Sequence, residues 1–374
     1  MKVLHIGKFY PPHWGGMETA LKDICEVLSP SIEVEALVAA DGPSSVSEIV
    51  RGVRVSRLGI RGTVFSQPLV RGLGAYLRGM QADVVHLHEP NPLAMVQYLI
   101  SGNPAPLVVH YHSDIVRQKR LRWLYRPWLT MGLARAQAIV VGSQELLDGS
   151  PVLARWKHKC IVIPFGIELE PYLAIERPAP SSPGGLPLIL AVGRLAYYKG
   201  FHYLIEAMSQ VPAARLAIVG EGPERGELEA RIAKLGLGSR VELCGRLDDP
   251  GLLDWYRRAD LFCLPSCERS EAFGLVQLEA MGAGLPVVST DLPTGMRAIN
   301  RHENTGLVVP PHDSGALAAA LVRLAADPAL RRRFGAAARE RARRLFSRDL
   351  MGRRILELYS KLSHLEEEVV SWST

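Results

Sequence analysis

The chain has 374 residues, 48% of them hydrophobic, and carries a formal net charge of +6 with a pI near 9.1. That length predicts two domains rather than one, with apolar content for two cores. The mild basicity comes with no nucleic-acid-binding signature, and no run of eighteen uncharged apolar residues is present to span a membrane.

From the start, MKVLHIGKFY reads as a first strand and not as a signal peptide. Short β-branched runs then recur at 33–38, 83–88, 106–112, 138–143 and 160–164. Amphipathic stretches at 17–29, 92–101 and 117–134 separate several of them. Apolar strands alternating with helices predict a parallel sheet covered on both faces. Residues 166–187 are rich in Pro, Gly and Ser and read as a linker region. The alternation then restarts with strands at 188–193, 215–220, 240–245, 260–265 and 285–290, before a helical stretch at 328–366. The expectation is an α/β chain of two Rossmann-like domains in tandem. Cysteines 25, 160, 244, 263 and 267 form no ligand set and predict reduced thiols in a cytosolic protein.

Ligands of open parallel sheets bind beyond the carboxyl ends of the strands. Four segments follow strands in this way: PPHWGGME (11–18), His112-Ser113-Asp114, GRLAYYKG (193–200) and EAFGLVQLE (271–279). Together they offer a backbone nest at Gly15-Gly16, a histidine, the cations Arg194 and Lys199, and the carboxylates Glu271 and Glu279. That set suits a diphosphate joined to a hydroxyl-rich, sugar-like group. Within EAFGLVQLE, Gly274 stands where a loop turns into a helix, whose first N–H groups are free to hold an anion. From that stretch alone, a solvent-facing loop acid and a helix-surface acid account for Glu271 and Glu279 equally well.

His86, His88, His110 and His112 form two H-x-H pairs. Alternate strand residues share a face, but no Cys or acidic cluster joins them beyond Glu89 and Asp114, so no metal is expected there. No Asp-x-Asp occurs either. The excess positive charge lies in residues 1–168, with 18 Lys and Arg against 13 Asp and Glu. It concentrates in RQKRLRWLYRPW (117–128), where basic residues alternate with Trp123, Leu124, Tyr125 and Trp128. Such a segment suits peripheral contact with an anionic bilayer. An amphipathic surface helix with its aromatics in the core fits the same pattern.

These motifs, with IVGEGPE (218–224), the E-x7-E of Glu271 and Glu279, and TGLVVPP (305–311), resemble retaining glycosyltransferase family 4 over nearly the whole chain. The resemblance implies the GT-B fold, two Rossmann-like domains with parallel sheets facing across a cleft. It implies an acceptor-binding domain at 1–168, a linker at 169–187, a nucleotide-sugar-binding domain at 188–345, and a helical segment at 346–374 crossing back to the first domain. YHSDIVRQKRLRWLYRPWL, GSPVL and VSTDLPTG look like bacterial mannosyltransferases that use GDP-mannose and a lipid-linked acceptor in surface polysaccharide synthesis. GMRAIN (295–300) departs from that subgroup.

By the resemblance, Arg194 and Lys199 bind the donor diphosphate and stabilise leaving-group charge. Gly16, with Gly15, lets backbone approach the phosphates and sugar. Glu279 accepts from the ribose, and Glu271 from the transferred sugar. Phe273, Gly274 and Leu275 offer backbone donors, and His112 meets the sugar near its 6-hydroxyl. The implied activity is a hexosyltransferase, most specifically an α-mannosyltransferase. It needs no metal cofactor and transfers by front-face attack, at the cytoplasmic face of the cell membrane. Competing expectations are a UDP-sugar-dependent member of the family, a catalytically silent sugar-nucleotide binder, and an epimerase or glycogen-type synthase. A dehydrogenase is disfavoured because GKFYPPHWGG lacks G-x-G-x-x-G.

Overall fold

The computed structural model describes the chain apart from residues 14, 65–66, 115–118, 177–184 and 372–374, with backbone only at 119–122 and 363–371. The chain divides into two compact units, one of Met1–Gly166 with Arg348–Thr374, the other of Ile167–Ser347.

In the first unit the strands are β1 (Lys2–Ile6), β2 (Glu33–Ala39), β3 (Val46–Val50), β4 (Val53–Leu58), β5 (Ile60–Val64), β6 (Gln67–Val70), β7 (Val84–Glu89), β8 (Leu107–Tyr111), β9 (Ala138–Val141) and β10 (Cys160–Val162). The helices are α1 (Gly16–Leu28), α2 (Leu73–Gly79), α3 (Pro92–Ser101), α4 (Lys119–Arg135), α5 (Gln144–Gly149) and, from the C-terminal segment, α14 (Arg348–Ser371). The main sheet runs β10-β9-β8-β7-β1-β2-β4-β3 and is parallel except at β3, while β5 and β6 form a separate hairpin. Central strands such as β7 and β8 are buried at every position, as a sheet covered on both faces requires. α14 packs against α1, with Gly352 beside Val27.

The second unit contains α6 (Glu170–Leu173), β11 (Leu188–Val192), α7 (Phe201–Met208), β12 (Arg215–Val219), α8 (Arg225–Lys234), β13 (Val241–Gly245), α9 (Asp249–Arg258), β14 (Leu261–Leu264), α10 (Val276–Gly282), β15 (Val287–Thr290), α11 (Met296–Ile299), β16 (Gly306–Val309), α12 (Ser314–Ala326) and α13 (Pro328–Leu345). Its sheet is wholly parallel, in the order β13-β12-β11-β14-β15-β16. That is the doubly wound order of dinucleotide-binding folds, with the direction of winding reversing between β11 and β14. The first unit reverses in the same way between β1 and β7.

Three features differ from the sequence reading. The strands over 46–70 carry no continuous apolar run: β3 is an edge strand with four of five residues exposed. The segment expected as a linker at 169–187 is not free over its described part, because α6 packs against α10 and α9. Residues 177–184 of it lie outside the described residues. The helical stretch at 328–366 is two helices, broken at Phe346–Ser347, where Phe346 is buried and the chain leaves the second unit.

Candidate active site

In the second unit, the loops after β11 and β14 meet at the winding reversal. After β11, Gly193 has φ 156°, and a Cβ there would lie 3.1 Å from Lys199 Cε and 3.3 Å from its Nζ. Its missing side chain is what lets the lysine stem fold back over the strand end. The turn Tyr197–Lys199 then leads through Gly200 into α7. Cys267 N–H, past the end of β14, donates to the Tyr198 carbonyl at 2.8 Å and ties the two loops together.

The four charged residues singled out in this unit gather there, in different environments. Arg194 is exposed and makes no ion pair among the described residues. Lys199 is buried, and its Nζ lies 2.6 Å from Glu271 Oε2. Burial works against the ammonium, but the Glu271 carboxylate, with Tyr198 and Glu279 further off, holds the Lys199 pKa above its ordinary value. Tyr198 feels Lys199, Glu271 and Arg194 together, so these groups share one electrostatic neighbourhood. Ser266 Oγ donates to Glu271 Oε2 at 2.8 Å, and Tyr256 OH donates to Glu279 Oε2 at 2.8 Å. Neither Ser266 nor Tyr256 was legible as a site residue. Ser266 follows β14 and so had a strand-end signal; Tyr256, inside α9, had none.

Between the carboxylates the backbone turns at Gly274, φ 76°, where a Cβ would come within 2.8 Å of Leu264 Cδ2. Leu275 has helical backbone angles, and α10 follows. Phe273 packs its ring on Phe346, centroids 6.2 Å apart, so what it can offer a ligand is backbone.

The first unit places its residues at its own reversal. Arg57 from β4 donates to the Pro11 carbonyl at 2.6 Å and to the Tyr10 carbonyl at 3.3 Å, fixing the loop that follows β1. That loop ends in Gly15, which precedes α1, and Gly16, its first residue. A Cβ on Gly16 would meet nothing within 4 Å. His112, one residue beyond β8, donates its N–H to the carbonyl of Glu89 at the end of β7, 2.9 Å away. Glu89 is a site candidate that the sequence offered only as a metal partner. It is buried, accepts from Asn91 N–H at 3.0 Å and Tyr125 OH at 2.8 Å, and burial raises its pKa to about 7. Perturbed carboxyls cluster at functional sites, and buried structural networks shift them as well.

His5, His86, His88, His110 and His112 stack beneath this surface. Ligand nitrogens of His86, His88 and His110 lie within 4.8 Å of one another. Their rings are nearly parallel, at 16–20°. Lone pairs in parallel planes do not converge on one ion at the bond lengths of about 2.0–2.1 Å that imidazole ligands require.

The 117–128 segment divides by helical phase. Residues 117–118 lie outside the described residues, and the side chains of 119–122 are likewise not described. Trp123 is 73% and Leu124 64% exposed, and Met131 on the same helix is exposed too. Tyr125 and Trp128 face the core instead, Tyr125 through its bond to Glu89. Of the three aromatics in the segment, only Trp123 is therefore exposed.

Residues 14–171 match the family model for Glycosyltransferase Family 4, and residues 174–341 that for Glycosyl transferases group 1. The chain is 35% identical over 366 residues to the D-rhamnosyltransferase WbpZ of Pseudomonas aeruginosa, covering 93% of this chain and 92% of the relative. It is a family 4 glycosyltransferase. The O-antigen chain mannosyltransferase C of Escherichia coli is 31% identical, with 97% and 99% covered. Among solved structures, the sucrose-phosphate synthase of Thermosynechococcus elongatus superimposes with a TM-score of 0.78 at 25% identity, covering 96% of this chain and 98% of that one. Anabaena Alr3699/HepE in complex with UDP superimposes at 0.79, covering 96% and 100%, and its 22% identity speaks for the fold alone. The family 4 chain thus has the GT-B fold of two Rossmann-like units and is a hexosyltransferase.

Proposed function

We propose that this glycosyltransferase moves mannose from GDP-mannose, with retention, to a lipid-linked or polysaccharide acceptor in cell-surface glycan synthesis. The observation that carries the reading is the match, over nearly all of both chains, to an O-antigen chain mannosyltransferase. In this reading Arg194 and Lys199 take the diphosphate, and their fixed charge favours the departing nucleotide without a metal. Glu279 binds the ribose, Glu271 the sugar hydroxyls, and Gly16 the phosphate edge. His112 meets the 6-hydroxyl. The leaving phosphate accepts the acceptor's proton during front-face attack, so the protein contributes positioning and electrostatics.

A second reading is favoured by the D-rhamnosyltransferase match. D-Rhamnose is 6-deoxymannose, so the two donors differ only at the position assigned to His112. A buried polar group left without its partner discriminates strongly between such analogues.

No helix among the described residues is long and apolar enough to cross a membrane. Exposed Trp123, Leu124 and Met131 on α4, beside the basic run, support peripheral contact with the inner face of the membrane. Flotation with anionic vesicles, lost in the Trp123→Ala/Leu124→Ala variant, tests that contact.

The deciding experiment is a panel of GDP-mannose, GDP-D-rhamnose, UDP-glucose and UDP-N-acetylglucosamine, scored by melting temperature and nucleotide release, with and without EDTA. GDP-mannose should give the largest shift, and turnover should survive chelation. A larger effect of GDP-D-rhamnose selects the second reading. UDP-sugar preference, or activity lost in EDTA and restored by Mg²⁺, overturns the corresponding part.

A further inference from the structure

Residues alternate along β4, and the two faces of the sheet differ there. Val53 and Val55 are buried on one face, while Arg54, Ser56 and Leu58 share the other. Strand register sets Glu35 of β2 opposite Arg54, and Leu37 opposite Ser56. Beyond β4, Ser47 of β3 also stands opposite Ser56. A face that is apolar at Leu4, Ile6 and Leu37 thus turns polar toward the edge of the sheet. Tyr76 of α2 and Met80 just after it stand beside that edge, and a cleft of about 590 Å³ opens between. Small-molecule sites occupy about 300–1,000 Å³. Lys2 and Glu33, a 3.4 Å ion pair, stand at one end of it. None of Gly15, Gly16, Glu89 or His112 belongs to the cleft.

Glu35 is only 2% exposed, on a face where Leu37 two residues on belongs to the core. Burying a carboxylate is costly unless hydrogen bonds replace its water. Here the replacement is one-sided. Ser56 Oγ donates to Glu35 Oε1 at 2.7 Å, and Tyr76 OH donates to the same oxygen. Oε2 accepts no bond among the described residues, and the carboxylate lines the cleft. Arg54, opposite it in register, is exposed and makes neither ion pair nor hydrogen bond among the described residues. A carboxylate and a guanidinium thus border one cleft without pairing with each other. A simple anion suits Arg54 and Lys2 but meets Glu35 and Glu33, and a simple cation meets the reverse conflict. A sugar hydroxyl donates and accepts at once, so neighbouring hydroxyls of one ring can donate to Oε2 and accept from Arg54. Val46 and Met80 give the C–H face of such a ring an apolar wall.

We propose that this cleft is a second carbohydrate-binding site, in which Glu35 accepts from, and Arg54 donates to, the hydroxyls of a neutral glycan chain. The binding rests on the cleft alone. That the chain held there is the acceptor's own glycan rests on the reading of a polysaccharide acceptor. Held at the sheet edge, a growing chain stays with the enzyme between transfers, at an effective concentration that a free acceptor lacks.

Calorimetric titration of the full chain, without donor, tests the site with linear mannotetraose, maltotetraose, mannose and inorganic phosphate. At least one tetrasaccharide should bind with a Kd of about 1 mM or tighter, and mannose about tenfold more weakly. Arg54→Ala removes the guanidinium, and Ser47→Trp fills the cleft. Both positions are exposed, so the melting temperature should hold while tetrasaccharide binding falls about tenfold or more. Binding undiminished in both variants, or no binding of either tetrasaccharide, overturns the proposal. Phosphate binding that Arg54→Ala abolishes, with no tetrasaccharide bound, makes the cleft an anion site instead. Equal affinity for mannose makes it a single-sugar site and removes the chain. With saturating donor, Arg54→Ala should raise KM for a long glycan acceptor about tenfold and leave kcat in place. An unchanged KM alongside lost binding overturns the assignment of the bound chain to the acceptor. The titration contains no donor, so it decides the cleft even where GDP-mannose proves not to be the donor.

Discussion

Lys199 and Glu271 hold each other: Nζ and Oε2 are 2.6 Å apart, with 10% and 9% of the two side chains exposed. The residue assigned to the diphosphate is thus bonded to the residue assigned to the sugar. This fits a donor in which the bond to be broken lies between those two groups. It also means that neither residue can be removed without leaving a charge behind.

Removing one member of a buried pair costs about 3–5 kcal/mol, because the other charge loses its partner. Lys199→Met should therefore lower the melting temperature of the second unit by roughly 6–20 °C, at about 2–4 °C per kcal/mol for a domain of this size. Adding Glu271→Gln should recover much of that loss while leaving turnover abolished. Melting curves and initial rates on the two singles and the double check this. Single-variant losses that simply add in the double would show the pair to be uncoupled.

How much of this was legible follows from where each signal sits. Strands β1, β7, β8 and β11 are short runs dominated by Val, Leu and Ile, so sequence alone places them and the residues just beyond them. Arg194, Lys199 and His112 could be singled out as candidates for that reason, and Glu271 from the loop after β14. Their partners could not. Ser266 reaches Glu271 from a loop, while Tyr256 reaches Glu279 and Tyr359 reaches His5 and His86 from helices whose packing phase no periodicity reveals. The same phase decides that Tyr125 is core and Trp123 surface on one helix. Strand β3 escaped because an exposed edge needs no apolar face.

Gly16→Ala should separate binding from folding. Its Cβ enters open space at the first residue of α1, where alanine is also the better helix former. The melting temperature should stay level or rise slightly, while donor KM rises about tenfold or more, equivalent to about 1.4 kcal/mol. Unchanged KM would remove Gly16 from the phosphate edge.

Acid should unfold the first unit early. Burial lowers His5 and His112 to about 3 and His86, His88 and His110 well below their ordinary value. Each therefore stabilises the fold above the unfolded value near 6.5 and loses that contribution as the pH falls, since only the unfolded chain takes the proton. Glu89, raised to about 7, and Asp23, raised to about 6, act oppositely. These bind protons in the fold first and offset part of the loss. Five such histidines outweigh the two carboxyls, so the net effect as the pH falls from 7 toward 5 is destabilising. Circular dichroism should show loss of structure near pH 5. His110→Phe, next to Phe165 and with no bond to lose, should move that midpoint to lower pH.

The two glutamates should fail differently. Glu279, held by Tyr256, is assigned to the ribose, which changes little between bound donor and transition state. An interaction of that kind is uniform binding, so Glu279→Gln should raise donor KM with kcat nearly intact. Glu271, held by Ser266 and Lys199, is assigned to a sugar ring that gains positive charge as the bond to phosphate breaks. A carboxylate there contributes more in the transition state than before it. Glu271→Gln should lower kcat by roughly ten- to hundredfold, the worth of one charge-assisted contact of about 1.5–3 kcal/mol. Glutamine keeps the shape and one acceptor in each case, and melting curves correct for the lost charge beside Lys199. Steady-state kinetics with saturating acceptor measures the split. Were Glu279→Gln to abolish kcat while Glu271→Gln moved only KM, the ends of the 271–279 segment would bind the donor in the opposite sense, with the sugar toward α10 and the nucleoside toward Ser266.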